Sequence, residues 1–255
     1  ILLPELASYM GINNAGSGGW LGALLPDLES REDITEIHVV SFGRKKRTCS
    51  ITVGKLYYYY LFDQNSTFGD SHKIVPFIEE KINSIKPDII DIQGLEFQYS
   101  KYITSFKGEY AIAGTVQGLT SQIYKYMTAG ISFWELIKNR TLKDYILFDG
   151  ILERRRKYYK RGLSEIKAIK NLDYILGRTF WDFAQVRSLN PSANYYYSER
   201  SLRRNFFDKS WSIDTVKPFS IFVSQCHTPF KGLHILLKAV YILKRDYPDI
   251  QVSVA

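Results

Sequence analysis

The chain has 255 residues, 45% of them apolar, and a formal net charge of +8 from 34 Lys and Arg against 26 Asp and Glu. That length admits one large domain or two smaller ones with a real core. No stretch reaches the roughly 18 to 20 apolar residues of a membrane span, and "ILLPELASYM" lacks the charged start and cleavage site of a signal peptide. Two cysteines far apart in sequence, Cys49 and Cys226, fit a reducing compartment better than a disulfide framework, so the expected setting is cytoplasmic. The positive charge suits an anionic partner: nucleic acid, an acidic membrane face or a phosphorylated small molecule.

In chain order, "ILLPEL" reads as the tail of a strand, and "NNAGSGGWLGALLPDLE" (13–29) as a glycine-rich loop opening a helix. "ITEIHVVSF" (34–42) and "KLYYYYLF" (55–62) read as strands from their β-branched and aromatic content. Most of the 19 tyrosines are expected to pack in strands and core. "KIVPFIEEKINSIK" (73–86) places Ile74, Ile78, Ile82 and Ile85 on one helical face, and Pro87 stops it. "DIIDIQG" (88–94), "YAIAGTVQG" (110–118) and "LDYILGRT" (172–179) follow as apolar strands, the first two closing on a glycine and the third carrying Gly177 near its end. Apolar strands spaced by helices predict an α/β fold with a parallel sheet covered on both faces.

After "ANYYYSE" and a basic stretch, "SWSIDTVKPFS" reads as a linker. A new unit then opens with strand "FSIFVSQ" (219–225), a helix with Leu233, Leu236, Leu237, Val240 and Leu243 in helical period, and strand "QVSVA". One βαβ unit cannot bury both faces of a sheet, so the expectation is a chain truncated within a second α/β domain.

Ligands of open parallel sheets bind beyond the carboxyl ends of the strands. That rule selects the loops at Gly94, Gly118 and Gly177 and the loop holding Gly16, Gly18 and Gly19. The last is either a backbone cradle for phosphate at a helix N-terminus or a plain turn. Thr179 is an expected N-cap. Arg178 is suited to phosphate, and Asp182 to Arg178 or a ligand hydroxyl; alternatively the two form an internal pair that fixes the loop. Glu96 is either a ligand-facing carboxylate or one favoured by a helix dipole. Cys226, His227 and His234 fit no common zinc spacing, and the sequence has no Asp-x-Asp to hold a divalent ion on a nucleotide. The run "ERRRKYYKRGLSEIKAIK" (153–170) is basic with interleaved aromatics: a solvated helix face, or one for nucleic acid or anionic lipid.

The blocks "SGGWLGALLPDLE", "KPDIIDIQGLEF", "YAIAGTVQGLTS", "LDYILGRTFWDFA" and "FVSQCHTPFKGLHILLKAVYILKRDYPDIQVSVA" resemble, in order, those of family 4 glycosyltransferases of the GT-B architecture. The resemblance implies two Rossmann-like domains: residues 1–215 on the acceptor side, and 216–255 as the start of a truncated nucleotide-sugar domain. It implies transfer of a sugar from a nucleotide-sugar to a glycan or lipid-linked acceptor with retention, in polysaccharide or glycolipid synthesis. These 255 residues alone are expected to be inactive.

By that resemblance Gly18, Gly19 and Trp20 lie against donor diphosphate and acceptor. Gln117 stands where many members have a reaction-centre His; it cannot take a proton but can hydrogen-bond a sugar hydroxyl. Glu96 and Gln117 are thus the expected reaction-centre positions. Arg178, Thr179 and Asp182 are expected substrate contacts. Gln225, Lys231 and Gly232 match the donor-phosphate segment, with Gln225 in the place of the usual Arg. No cofactor or metal is expected, and no nucleic acid. A peripheral place on the inner membrane face is expected through 153–170. The rival readings are a nucleotide-sugar epimerase of the same architecture and a non-enzymatic polyanion-binding α/β module.

Overall fold

A computed structural model describes residues 4–11, 19–44, 48–63, 73–202, 206–208 and 210–254. In chain order the elements are α1 (Pro4–Tyr9), α2 (Gly19–Glu29), β1 (Ile37–Gly43), β2 (Cys49–Val53), β3 (Leu56–Phe62), α3 (Ile74–Ile85), β4 (Ile89–Gln93), α4 (Gln98–Ile103) and β5 (Ala111–Thr115). There follow α5 (Thr120–Tyr126), α6 (Phe133–Lys138), α7 (Leu142–Leu147), α8 (Ile151–Asn171), β6 (Tyr174–Gly177), α9 (Phe180–Leu189), β7 (Asn194–Tyr197), β8 (Ser220–Val223), α10 (Leu233–Leu243) and β9 (Gln251–Val254). The chain divides into two compact units, residues 1–118 with 164–209, and 119–163 with 210–255.

The first unit is Rossmann-like. Its main sheet runs β4-β5-β6-β7 with every neighbouring pair parallel. One face of that sheet carries Ile92, Ile112, Gly114 and Ile175, all buried. Gly114 is required there: a Cβ would come within 2.5 Å of Leu172 and 2.7 Å of Leu95. On the opposite face Ile89, Tyr174 and Tyr196 are exposed among the described residues, while burial raises the pKa of Asp91 above the ordinary carboxylate value. Helix α3 buries Ile74, Ile78 and Ile82, as its period predicts, at about 2 kcal/mol per side chain. It ends where Lys86 turns left-handed and returns its N–H to the Ile82 carbonyl, with Pro87 next. Asn190 joins two helix ends: it caps α9, and its Nδ2 donates to the carbonyls of Ile169 (2.8 Å) and Leu172 (2.9 Å) at the close of α8.

A second sheet of this unit runs β1-β3-β2. Strands β1 and β3 are parallel; β2 is an antiparallel edge strand joined to β3 through Gly54, whose φ of +57° suits a two-residue hairpin turn. The alternation that makes the hairpin also explains the four consecutive tyrosines. Tyr58 and Tyr60 enter a core with Leu6, Leu25 and Leu56, while Tyr57 and Tyr59 stack on His38 from the other face. Of "ILLPEL", expected as a strand tail, residues 1–3 lie outside the described residues, and Pro4–Tyr9 form a short helix that buries Leu6 and Ala7. "ANYYYSE", not read as a strand from sequence, holds β7.

The second unit combines α5, α6, α7 and the first part of α8 with β8, α10 and β9. Ser132 and Thr141 start α6 and α7 with reciprocal capping boxes to Glu135 and Asp144. Gly162 lets α8 touch the start of α5, since a Cβ would come within 2.6 Å of the Ser121 backbone. Strands β8 and β9 are parallel and joined through α10, the βαβ order read from sequence. On α10 Val240 is buried, while Leu237 is half exposed.

Candidate functional site

The carboxyl ends of β4, β5, β6 and β7 lie side by side in the first unit, and the loops that leave them carry its polar groups. Gly94 turns the chain out of β4 at a φ of +103°, which a side chain rarely adopts, and brings Glu96 back against the turn. Strand β5 continues one step past its ladder: the Val116 N–H reaches the Leu176 carbonyl at 2.8 Å. Gln117 follows, half-buried. Its carbonyl accepts from Arg178 Nη2 at 3.0 Å, so one guanidinium ties the loop after β5 to the loop after β6. Gln117 Nε2 and Arg178 Nε are both buried and have no hydrogen-bond partner among the described residues.

The turn from β6 into α9 is built by Thr179 and Asp182. Thr179 Oγ1 accepts from the Asp182 N–H at 3.0 Å, and Asp182 Oδ2 accepts from the N–H groups of Arg178 and Thr179, each at 3.2 Å. The expected cap is therefore present. The buried carboxylate of Asp182 is engaged by backbone, and the Arg178 guanidinium points instead to Gln117. Gly177 admits the Tyr195 ring, into which a Cβ would run. The Tyr195 hydroxyl is held at the Thr179 carbonyl at 3.4 Å. Burial, with the charge of Asp182 and the neighbouring Tyr197, pushes that phenol up to about 12.

Arg200, just past β7, was not singled out from sequence. Its guanidinium carbon lies 4.2 Å from the centroid of the Trp20 ring. Burial and then the charge of Arg178 lower its pKa, and Glu96 acts in the opposite sense, so Arg178 and Glu96 each stand within electrostatic reach of Arg200. The signal was present in "NYYYSER": had that run been read as a strand, Arg200 would have stood at a carboxyl end beside Arg178. Gly19 and Trp20 open α2; Gly16 and Gly18 lie outside the described residues.

Gln225, Lys231 and Gly232 belong to the second unit. Pro229–Lys231 form a 3-10 turn, Gly232 takes φ +81°, and α10 begins at Leu233. Gln225 and Lys231 are exposed, and Lys231 Nζ lies 5.1 Å from the Phe230 ring centroid. His234 Nε2 meets the Ala129 carbonyl at 3.3 Å. Among the described residues no three His, Cys, Asp or Glu side chains gather as a metal site would require. A cavity of about 290 Å³ lies elsewhere in this unit, lined by Ile131, Glu135, Leu136, Arg140 and Glu153. The ion pair Arg140–Glu153 (2.7 Å) spans its wall.

The sites thus divide by chemistry. The first unit offers donors and the Glu96 carboxylate at the ends of a parallel sheet, suited to hydroxyl and oxyanion ligands. The second offers an exposed lysine at a helix start, suited to phosphate. Comparison of the chain with protein-family models and with curated proteins gives no match.

Proposed function

We propose that the protein is a glycosyltransferase of GT-B type, moving a sugar from a nucleotide-sugar to a glycan or lipid-linked acceptor with retention. The observation that carries this reading is the meeting of Gln117 and Arg178 beyond the carboxyl ends of the parallel strands. These are the positions that the resemblance assigns to the acceptor side of the reaction. Sugar transfer needs a hydroxyl held close to the anomeric carbon and the leaving diphosphate neutralised. The Gln117 amide and the Glu96 carboxylate are suited to orient the hydroxyl. Lys231 and the helix start after Gly232 are suited to the diphosphate. Neither role calls on a metal ion.

The test is sugar transfer by the protein expressed from its complete reading frame, offered a panel of nucleotide-sugars with glycan and lipid acceptors. The expected result is transfer with the donor's anomeric configuration kept. Lys231→Ala is expected to weaken donor binding about tenfold or more, the scale of a charge-assisted contact, with acceptor binding unchanged. Release or isomerisation of the donor sugar without any acceptor dependence would replace this reading with the epimerase. Retention of RNA in a salt-sensitive complex indifferent to nucleotide-sugar would replace it with the polyanion-binding module.

A further inference from the structure

The site at the sheet ends holds more hydrogen-bond donors than a neutral sugar needs. Arg178 and Arg200 each carry five N–H groups and a permanent charge, and Gln117 adds an amide. Arg178 uses one Nη2 hydrogen on the Gln117 carbonyl, while its Nε and the Gln117 Nε2 are buried without partners among the described residues. Arg200 is held over Trp20, and among the described residues it makes no salt bridge. Like charges brought together repel unless an anion stands between them. Glu96 offsets one of the two positive charges, and Asp182 is turned to the backbone of α9. Among the described residues one positive charge is left in surplus, beside buried donors that lack an acceptor.

We propose that Arg178, Arg200 and Gln117 bind a phosphoryl group carried by the acceptor. A phosphoryl group fits better than a carboxylate because three terminal oxygens match three separate donor groups, whereas two carboxylate oxygens pair with a single guanidinium fork. The word acceptor rests on the transferase reading; the phosphoryl site itself rests on the Arg178–Gln117 contact and the unpartnered donors beside it. All three residues and Trp20 belong to the first unit, whereas the residues suited to the donor diphosphate belong to the second.

The experiment is calorimetric titration of the 255-residue chain with glucose 6-phosphate, glucose and uridine diphosphate, for the native chain, Arg200→Gln and Arg178→Lys, each checked for folding by circular dichroism. Arg200→Gln is the decisive variant, because Arg178 also braces the Gln117 loop. The expected result is binding of glucose 6-phosphate that Arg200→Gln weakens at least tenfold, no measurable binding of glucose, and no displacement by uridine diphosphate. Equal binding of glucose and its phosphate, no binding of either, or full affinity in Arg200→Gln overturns the site. Displacement by uridine diphosphate moves the site to the donor and overturns its assignment to the acceptor. The transfer assay separates the two readings. Arg200-dependent phosphate binding without transfer by the complete protein sinks the transferase reading alone. Transfer that is indifferent to acceptor phosphorylation sinks the phosphoryl site alone.

Discussion

Arg178 reaches across from the end of β6 to the carbonyl of Gln117 at the end of β5, a separation of 61 residues in sequence and 3.0 Å in space. This bond sets the spacing of the two loops that shape the site. Its donor is charged and its acceptor is partly buried, a combination that contributes about 1.5 to 3 kcal/mol. Arg178→Ala is expected to lose stability on that scale in urea unfolding. Arg178→Lys should recover little, since an ammonium on a flexible stem cannot reproduce the guanidinium fork. Full stability of Arg178→Ala would show that the loops are spaced by something else.

Asp182 separates structure from chemistry at the same turn. Its carboxylate receives two backbone N–H groups and is 6% exposed. Asp182→Ala is expected to cost about 1 to 3 kcal/mol by leaving those donors unsatisfied in a buried place. Thr179→Ala is expected to cost about 1 kcal/mol as a lost N-cap. In the complete protein, both variants should lose activity only as far as they lose folded protein. A fall in turnover at full folding for Asp182→Asn would place the carboxylate on substrate after all.

Much of this site was legible in the sequence, for a physical reason. A strand that ends in glycine and passes into a helix announces its carboxyl end, so Gly94, Gln117 and Gly177 pointed to the loops that leave β4, β5 and β6. "GRTFWD" spelled its own capping box. Arg200 was hidden because the strand before it, "NYYY", has polar neighbours and no closing glycine. Its membership of the sheet depends on parallel pairing with β6, which only the fold supplies. Strand β2 was missed for a related reason: "CSITV" is short and sits at an edge, where one side of its ladder is its hairpin partner.

Tyr195 gives an alkaline signature. Its phenol is raised to about 12 by burial first, then by Asp182 and Tyr197. Below the ordinary tyrosine value of about 10, folded and unfolded chains both keep the proton and no stability difference arises. Between about 10 and about 12 the unfolded chain ionises while the folded one does not, so stability falls as pH rises. Urea midpoints at pH 9 and 11.5 should fall further in the native chain than in Tyr195→Phe. Parallel falls in both would show that Tyr195 ionises as freely in the fold as outside it.

The basic helix α8 divides into charge paired with Asp149 and charge exposed to solvent, and the division sharpens the test of the membrane-surface role expected from sequence. Arg154 and Lys157 both bind Asp149, at 2.9 and 3.1 Å, and their hydrogen bonds hold that carboxylate below its ordinary range, Arg154 foremost. Arg155, Arg156, Tyr159, Lys160 and Leu163 are exposed instead, and their spacing sets them along one side of the helix. Cations with a tyrosine and a leucine are suited to lie on headgroups without crossing the bilayer, and no described helix is long and apolar enough to span one. Each cation near an anionic surface contributes about 1 kcal/mol at most. Removal of three should therefore weaken binding up to about a hundredfold at low salt, and by less as salt screens the surface. The measurement is co-sedimentation with phosphatidylserine vesicles at low and high salt. Arg155, Arg156 and Lys160 changed together to Ser should abolish salt-sensitive binding, while Arg154→Ser, whose charge is already held by Asp149, should bind nearly as the native chain does. Equal sedimentation of the native chain and the triple variant would return α8 to a solvated helix with no membrane role.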